Sequence, residues 1–245
     1  MSKLRQRLFE NYGAHYLRIN VLTGPSLNVA DYQRYMPDYE ASYRRIVSGL
    51  PKGSSAVDLG CGIGLLLFWL HHSRPGFLQL AGVDISDAQL ARARKYLPKS
   101  IALVQEEAAT FLRRNLRSFA AVFCTDILEH VETDDELLEL LELARGSLLP
   151  GGLMICQVPN MANLGGTRSR YIDLTHSRGF TSSSLLQLLE CAGFRESQIV
   201  KREAADTTQW LRTCVENIVH RAIYRICGVG DEQHFARNLI GTGKA

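Results

Sequence analysis

Residues 57–64 read VDLGCGIG, and the apolar run LLLFWL follows directly at 65–70. This order predicts a buried strand, a glycine turn and a buried helix, which is the plan of a nucleotide-binding crossover. Gly60, Gly62 and Gly64 let the backbone turn sharply and lie against a ligand, because a Cβ at these places would clash. The N–H groups at the start of the helix would then face that ligand.

Two aspartates at predicted strand ends indicate the charge of the ligand. Asp58 lies inside the end of the first strand, and Asp84 closes a second apolar run twenty residues past Gly64. An acid at the latter place can accept hydrogen bonds from both ribose hydroxyls. The carboxylate of Asp58 would repel a pyrophosphate and attract an ammonium group. The third glycine also comes one residue earlier than in the dinucleotide fingerprint GxGxxG, so a nicotinamide-dependent oxidoreductase is disfavoured.

At these two motifs the chain resembles the class I S-adenosylmethionine-dependent methyltransferases. Residues 57–64 are similar to the first motif of that family, and Gly82-Val83-Asp84-Ile85-Ser86 is similar to its next motif. The resemblance implies an α/β fold with a Rossmann-like, seven-stranded, mostly parallel sheet, helices on both faces and an antiparallel last strand. It also implies S-adenosyl-L-methionine as cofactor and S-adenosyl-L-homocysteine as product.

The resemblance further implies a set of cofactor-binding residues at the ends of the first four strands. Glu107 would lie near the adenine amino group, where the family more often has Asp; the less favoured alternative is a solvated carboxylate at a helix start. Thr125 and Asp126 would lie beside the methionine part. The full set is Asp58, Gly60, Cys61, Gly62, Gly64, Asp84, Ile85, Glu107, Ala108, Thr125 and Asp126.

Residues 125–131 read TDILEHV, which resembles the fourth motif of a branch containing quinone-biosynthesis and glycan-modifying O-methyltransferases. Asp126, Glu129 and His130 could together bind a hard divalent cation, as a similar arrangement in one quinone-methylating group is thought to do. The favoured alternative is that Glu129 and His130 hold the loop by hydrogen bonds, and we therefore expect no metal.

The block YIDLTH at 171–176 resembles the same branch and supplies the candidate general base. The imidazole of His176 titrates near neutrality and can remove a proton from a hydroxyl, with Asp173 orienting it. His130 is a further catalytic candidate. The alternative is that His176 only holds the loop by hydrogen bonds. Transfer from a sulfonium otherwise depends mainly on alignment of the reacting atoms.

Composition is that of an ordinary soluble globular protein. The chain has 245 residues, 46% of them hydrophobic and 22% charged, and a net charge of +3, which gives no electrostatic case for nucleic acid. We expect neither a signal sequence nor a membrane span. The six cysteines form no CxxC pair, so reduced thiols and a cytoplasmic location are expected.

Alternating apolar strands and helices predict one large domain with additions. We expect an N-terminal helical arm or lid at 1–37, containing several tyrosines, and a methyltransferase domain at 38–245 with a helical insert at about 206–228. Proline, glycine and capping residues mark where the predicted helices and strands begin and end. The expected helices are Tyr39–Leu50, Ala88–Tyr96 capped by Asp87, a helix from Thr133 to about Leu149 and Ser182–Ala192; the expected later strands are Leu153–Val158, Phe194–Lys201 and a short one within Gln233–Gly241, with a loop at 160–179.

The late segment 209–227 is predicted to be an amphipathic helix. Its apolar positions are Leu211, Val215, Ile218, Ala222 and Ile226, with Arg212, Arg221 and Arg225 toward the other side. The favoured interpretation is a lid whose apolar face packs on the sheet. The alternative is a peripheral seat on anionic lipid, which would suit a lipid-linked substrate.

The resulting hypothesis is O-methylation of a small-molecule or glycan-type acceptor, by analogy within the branch. Methylation of a quinone precursor or of an amine is the nearest alternative. A non-catalytic regulator that binds the cofactor is an alternative of another class. The oligomeric state stays open.

Overall fold

The computed structural model describes residues 7–8, 28–73, 78–204, 206–230 and 232–245. Helices and strands alternate through most of these residues. The strands are β1 Ser54–Leu59, β2 Leu78–Asp84, β3 Ala102–Gln105, β4 Phe119–Thr125, β5 Leu148–Pro159, β6 Arg195–Val200 and β7 Asn238–Lys244. The helices are α1 Val29–Ser48, α2 Leu65–Ser73, α3 Asp87–Tyr96, α4 Ala108–Arg114, α5 Asp134–Ser147, α6 Gly166–Tyr171, α7 Ser182–Cys191 and α8 Thr207–Ile226, with one 3₁₀ turn at Leu128–His130.

The seven strands form one sheet in the order β3-β2-β1-β4-β5-β7-β6. Strands β1 to β5 pair in parallel, and β7 is antiparallel to both β5 and β6. The expected Rossmann-like sheet with its antiparallel last strand is therefore confirmed. The strand order reverses between β1 and β4, and in such sheets ligands bind at the carboxyl ends of the strands beside that reversal.

Alternation of side chains along the strands builds a core on each face of the sheet. Ala56 of β1 packs in a cluster with residues of α1, α2 and α3, including the fully buried Trp69. Val57 and Leu59 of the same strand pack in a separate cluster with residues of α4, α5 and α7. Both faces of β1 are covered, which explains why its last four residues are buried, Asp58 among them.

Several element bounds differ from the sequence-based expectations for local reasons. Helix α1 begins ten residues before Tyr39, because Asn28 and Asp31 form a capping box and the helix continues through Pro37. Consequently α1 is continuous across residues 37 and 38. The cap of α3 is Ser86 rather than Asp87, whereas the capping box of Thr133 and Glu136 is confirmed.

Other differences lie in the later half of the chain. Strand β5 begins at Leu148, five residues early, because Leu148 already pairs with Phe119 and the residues up to Gly152 form an irregularity before pairing resumes at Leu153. The expected loop at 160–179 contains the short helix α6, and β7 runs over Asn238–Lys244.

The expectation that α8 packs its apolar face on the sheet is wrong. Leu211, Val215, Ile218 and Ile226 are exposed, while the buried residue of the helix is His220. Across the described ranges, no helix combines the length and apolarity needed to cross a membrane. Of the N-terminal tyrosines, Tyr12 and Tyr16 lie outside the described residues, and Tyr32 and Tyr43 are buried in the core.

Candidate functional site

A cavity of about 540 Å³ opens where the carboxyl ends of β1, β2 and β4 meet. The glycine turn after β1, the acidic end of β2, the start of α4 and the segment after β4 all contribute to it. Of the expected cofactor-binding residues, all but Gly64 line the cavity: Asp58, Gly60, Cys61, Gly62, Asp84, Ile85, Glu107, Ala108, Thr125 and Asp126. Tyr39 of α1 and His130 also line it.

The glycine turn has the left-handed backbone that its sequence suggests. Gly60 and Gly62 have φ of 63° and 53°. A Cβ on Gly60 would lie 2.6 Å from Cδ1 of Ile127, and one on Gly62 would lie 3.0 Å from Oε1 of Gln89. These two glycines shape the cavity wall. A Cβ on Gly64 would instead lie 2.5 Å from Cδ1 of Leu97, so the third glycine permits close packing against the end of α3.

Asp84 is held at the cavity wall by two backbone amides. Its Oδ2 accepts from the N–H of Gly62 at 2.8 Å, and its Oδ1 accepts from the N–H of Ser86 at 2.8 Å. Burial raises the pKa of Asp84, while these two hydrogen bonds act in the opposite direction. An ionised carboxylate has about four acceptor positions, so two amide donors leave capacity for ligand hydroxyls.

Asp58 and Asp126 add two further carboxyl groups to the same cavity. Burial and the neighbouring carboxylates of Asp84 and Asp126 raise the pKa of Asp58 well above its ordinary value. Desolvation by the surrounding protein raises the pKa of Asp126 to about 6, opposed by a hydrogen bond from Gln157. The backbone of Asp126 is left-handed, with φ of 55°, a conformation that is costly for a residue with a Cβ and that clusters at functional sites. The three carboxyl groups favour a cationic ligand over a phosphate.

The side chain of Asp126 is oriented by Gln157 of β5. The Nε2 group of Gln157 donates to both carboxylate oxygens of Asp126 at 3.2 Å, and its Oε1 accepts from the hydroxyl of Tyr43 at 2.9 Å. Asp126 is exposed toward the cavity opening, so water moderates its interaction with the other carboxylates. At the other end, Oε2 of Glu107 accepts from the hydroxyl of Thr110 at 2.8 Å, beside the start of α4.

A chain of hydrogen bonds joins His130 at the cavity wall to the buried Asp173. The hydroxyl of Thr175 donates to Oδ1 of Asp173 at 2.7 Å and lies 2.8 Å from Nδ1 of His130. The backbone N–H of Thr175 donates to the same carboxylate oxygen at 2.8 Å. Because the hydroxyl proton is directed to Asp173, Nδ1 of His130 is the donor to Oγ1 of Thr175. Nε2 of a neutral His130 then holds the lone pair.

His176 lies behind His130 and does not line the cavity. The two ring centroids are 4.7 Å apart, and Nδ1 of His176 lies 2.8 Å from the carbonyl oxygen of Ser169. One candidate group of metal ligands occurs in the described part of the chain, and it joins Glu129, His130 and His176 with their ligand atoms within 4.8 Å of one another. This group differs from the alternative set of Asp126, Glu129 and His130 considered from the sequence, and the carboxylate of Asp126 accepts from Gln157 instead.

The segments that carry His130 and Thr175 are tied together by backbone contacts. The N–H of Ser177 donates to the carbonyl oxygen of Glu129 at 2.6 Å. The guanidinium of Arg178 donates to the carbonyl oxygens of Val131 and Glu132 and to the carboxylate of Asp134. These contacts fix the distance between the imidazole and the hydroxyl.

Sequence reasoning missed Thr175 and Gln157. Thr175 lies between Asp173 and His176 in the quoted block, and a hydroxyl two residues after an Asp is a recognisable local hydrogen-bonding pattern. No local signal identifies Gln157, because its partners Tyr43 and Asp126 come from other parts of the chain.

Comparison with known proteins agrees with this geometry. A family model described as a methyltransferase domain matches residues 32–198. The chain is similar to the trans-aconitate 2-methyltransferase of Variovorax paradoxus, with 29% identity over 135 residues that cover 54% of this chain and 50% of that protein. The chain spans about half the length of the curated relatives it matches.

Solved structures with the same fold include methyltransferases. A SAM-dependent methyltransferase from Archaeoglobus fulgidus matches with a TM-score of 0.66 at 20% identity, covering 87% of this chain and 94% of that one. Phosphoethanolamine N-methyltransferase 2 of Haemonchus contortus, in complex with S-adenosyl-L-methionine, matches with a TM-score of 0.56 at 16% identity, covering 85% and 51%.

Proposed function

The chain belongs to the methyltransferase domain family, and from this premise we propose that it methylates a hydroxyl oxygen of a small-molecule or glycan-type acceptor, with S-adenosylmethionine as the donor and His130 as the general base. The observation on which this rests is the hydrogen-bonded series His130–Thr175–Asp173 at the wall of the cavity. The cavity then has two parts: a donor side, formed by the glycine turn and the three aspartates, and an acceptor side at His130.

The donor side fits S-adenosylmethionine by charge and shape. Gly60 and Gly62 form the cavity wall at positions where a Cβ would collide with Ile127 and Gln89, and Asp84 keeps acceptor capacity for the ribose hydroxyls. We assign Asp58 and Asp126 to the positively charged methionine part and Glu107 to the adenine end. When bound, the donor supplies a methyl group activated by its sulfonium charge. The carboxylates that favour this cation would repel the pyrophosphate of a dinucleotide.

The acceptor side is where side chains of this protein take part in chemistry. Nε2 of His130 takes the hydroxyl proton as the acceptor oxygen forms its new bond to carbon, and the imidazole becomes an imidazolium. The Nδ1–H group of His130 keeps its hydrogen bond to the hydroxyl oxygen of Thr175, and that hydroxyl keeps its hydrogen bond to the carboxylate of Asp173. The negative charge of Asp173 thereby stabilises the imidazolium through one intervening hydroxyl. Asp173 and Thr175 are positioning residues, and we assign His176 to packing beside His130.

A base of this kind favours oxygen over nitrogen as the nucleophile. A neutral amine already presents a lone pair and can lose its proton to water after transfer, whereas a weakly acidic alcohol or phenol gains from proton removal during transfer. A quinone precursor with a phenol satisfies the same requirement and is the nearest alternative, and an amine acceptor is the next. An acceptor carried on a lipid also fits, since α8 adjoins the loop after β5.

We also keep as a proposal the division into an N-terminal arm through residue 37 and a methyltransferase domain with a helical insert at about 206–228.

The decisive experiment identifies the product. Purified protein is incubated with S-adenosylmethionine labelled in its methyl group and with fractionated cell extract, and the labelled product is analysed for O-methyl or N-methyl linkage. We expect an O-methyl ether, the product of methylating a hydroxyl oxygen. An N-methyl product would contradict the proposed acceptor chemistry, and retention of the donor with no transfer to any fraction would favour the regulator hypothesis.

The role of His130 is tested separately once an acceptor is available. His130→Gln is expected to lower kcat by about 10²-fold or more, the usual contribution of a general base, while the Kd for S-adenosylmethionine stays within about twofold. His72→Gln, an exposed histidine on α2, is the matched control and should keep the original kcat. A His130→Gln enzyme with unchanged turnover at saturating acceptor would exclude the base role.

A further inference from the structure

Helix α8 presents an apolar stripe to solvent. The stripe consists of Leu211, Val215, Ile218, Ala222 and Ile226, which are three or four residues apart and therefore lie along one side of the helix. Leu211, Ile218 and Ile226 are 58%, 68% and 86% exposed. In a globular protein an amphipathic helix normally turns such a stripe toward the core, so the outward orientation requires an explanation.

Specific contacts on the opposite side of α8 hold this orientation. Nε2 of the buried His220 accepts from the N–H of Leu164 at 3.0 Å, and its other ring nitrogen lies 2.7 Å from the carbonyl oxygen of Glu216. The hydroxyl of Tyr224 donates to the carbonyl oxygen of Ala162 at 2.8 Å, and the rings of His220 and Phe235 stack. The helix therefore attaches to the body through its polar side, which leaves the stripe facing outward.

Arginines flank the stripe on both sides, and the net positive charge of α8 lies on the border with Arg221 and Arg225. With a rotation of about 100° per residue, Arg221 and Arg225 lie along one border of the stripe and Arg212 along the other. Trp210, which is exposed, lies near the border with Arg221. Within α8 the acidic residue is Glu216, and it pairs with Arg212 at 2.8 Å. An apolar centre with arginines at its borders is the arrangement of helices that lie in the interface of a lipid bilayer.

We propose that the α8 stripe docks on a membrane surface that contains anionic lipids. The stripe would enter the boundary between headgroups and acyl chains, while the arginine stems extend to the lipid phosphates. Anionic lipid is favoured over another copy of the chain, because pairing two stripes would bring the arginine borders of both helices close together. This docking does not depend on the proposed hydroxyl acceptor, so the two proposals fail independently.

Helix α8 is attached to the loop that also supplies Thr175. The residues that hold α8, Ala162 and Leu164, follow β5 directly, in the same loop that leads to Thr175. An acceptor anchored in the bilayer is therefore the first class to test once vesicle binding is established.

Vesicle co-sedimentation tests the proposal with the full chain. Binding is measured on phosphatidylcholine vesicles with and without phosphatidylglycerol, at low and at high salt. The variants are Leu211→Asp with Ile218→Asp for the stripe, and Arg221→Gln with Arg225→Gln for the border. Leu116→Asp and Lys95→Gln are matched controls, because both residues are exposed and lie elsewhere on the surface.

Support requires that the original protein sediments with phosphatidylglycerol vesicles, less so at high salt. The stripe variant should bind at least tenfold more weakly, the arginine variant about 25-fold more weakly at roughly fivefold per arginine, and both controls as the original. Failure of the original protein to sediment at low salt would overturn the proposal, as would equal binding to vesicles without phosphatidylglycerol. A dimer of the original protein in size-exclusion chromatography that Ile218→Asp dissociates would identify the stripe as a self-interface and overturn it too.

Discussion

Replacing Thr175 by Val is the most informative single perturbation of the proposed site. Valine keeps the branched shape of a side chain that is 1% exposed, so packing changes little. The change removes the 2.7 Å hydrogen bond to Asp173 and the 2.8 Å hydrogen bond with His130, and leaves the backbone amide of residue 175 on the same carboxylate oxygen. Hydrogen bonds to charged groups contribute about 1.5–3 kcal/mol each, and part of this returns through relaxation, so we expect the free energy of unfolding to fall by roughly 2–3 kcal/mol.

The effect on catalysis should be larger than the effect on binding. Without the hydroxyl, Nδ1 of His130 loses the acceptor that selects its tautomer, and the imidazolium loses its link to Asp173. We expect kcat to fall by about 10²-fold or more, as in other enzymes whose base loses its orienting partner. The Kd for S-adenosylmethionine from titration calorimetry should stay within about twofold, because Thr175 is remote from the glycine turn.

Urea denaturation, calorimetry and steady-state kinetics with the identified acceptor measure the three quantities. Thr242→Val is the matched control, since Thr242 is 2% exposed and lies in β7. It should lose stability without a comparable loss of kcat. The reasoning would be refuted if Thr175→Val lost stability as expected but kept its kcat at saturating acceptor, because the hydroxyl would then only support the loop.

Acid unfolding gives an independent check on the same variant. Burial alone would raise the pKa of Asp173, but the two hydrogen bonds from Thr175 and the nearby His130 and His176 outweigh it, and the pKa lies below its ordinary value. A lowered folded-state pKa means that the stabilisation is present above the unfolded pKa of about 3.9 and is lost as pH falls through the folded-state value. Thr175→Val should therefore be less stable at neutral pH and lose less stability on acidification than the original protein.

Three further predictions concern the donor side. Asp58→Asn should weaken S-adenosylmethionine binding by about 10- to 100-fold. It should also raise the free energy of unfolding at pH 7.5 by roughly 1–2 kcal/mol, because the folded state disfavours the ionised form of Asp58 and a neutral amide carries no such cost. Asp87→Asn, an exposed control, should change neither quantity, and a tighter Kd for Asp58→Asn would contradict the assignment. With the pKa of Asp126 at about 6, a bound cation favours the ionised carboxylate, so affinity should fall as pH is lowered from 7.5 to 5, and Asp126→Asn should flatten that profile in calorimetry. Gly60→Ala places a Cβ at φ of 63° and 2.6 Å from Ile127, so it should lower the melting temperature through a backbone cost of roughly 1–2 kcal/mol and weaken donor binding; an unchanged Kd would show that the turn tolerates a side chain.

The donor side can be predicted from sequence because each of its parts is local. A glycine turn, an acid that ends a strand and an acid at a helix start each predict a ligand contact, whatever the order of the strands in the sheet. A parallel sheet then brings the carboxyl ends of β1, β2 and β4 to one edge without further information. For this reason the sequence predicts one shared cavity for Asp58, Asp84 and Asp126, and all three line it. Gly64 is the exception, because its neighbour Leu97 comes from a helix whose packing the motif does not specify.

The acceptor side can be predicted only in part because its contacts join distant segments. Thr175 meets His130 across 45 positions of sequence, and nothing in either segment alone sets which histidine reaches the cavity. The orientation of α8 poses a different difficulty. Its amphipathic pattern is evident, but periodicity does not say which side turns inward, and here the side that carries His220 and Tyr224 contacts the body.

One loop connects these features of the acceptor side. Residues 160–178 hold α8 at one end, through Ala162 and Leu164, and supply Thr175 to His130 at the other. The N–H of Ser177 on the carbonyl oxygen of Glu129 ties that latter end to the segment after β4. A change in the length of this loop would therefore alter the orientation of the base and the seat of α8 together. The position of α8 and the hydrogen bond between Thr175 and His130 therefore depend on the conformation of one loop, although the two proposals built on them are tested separately.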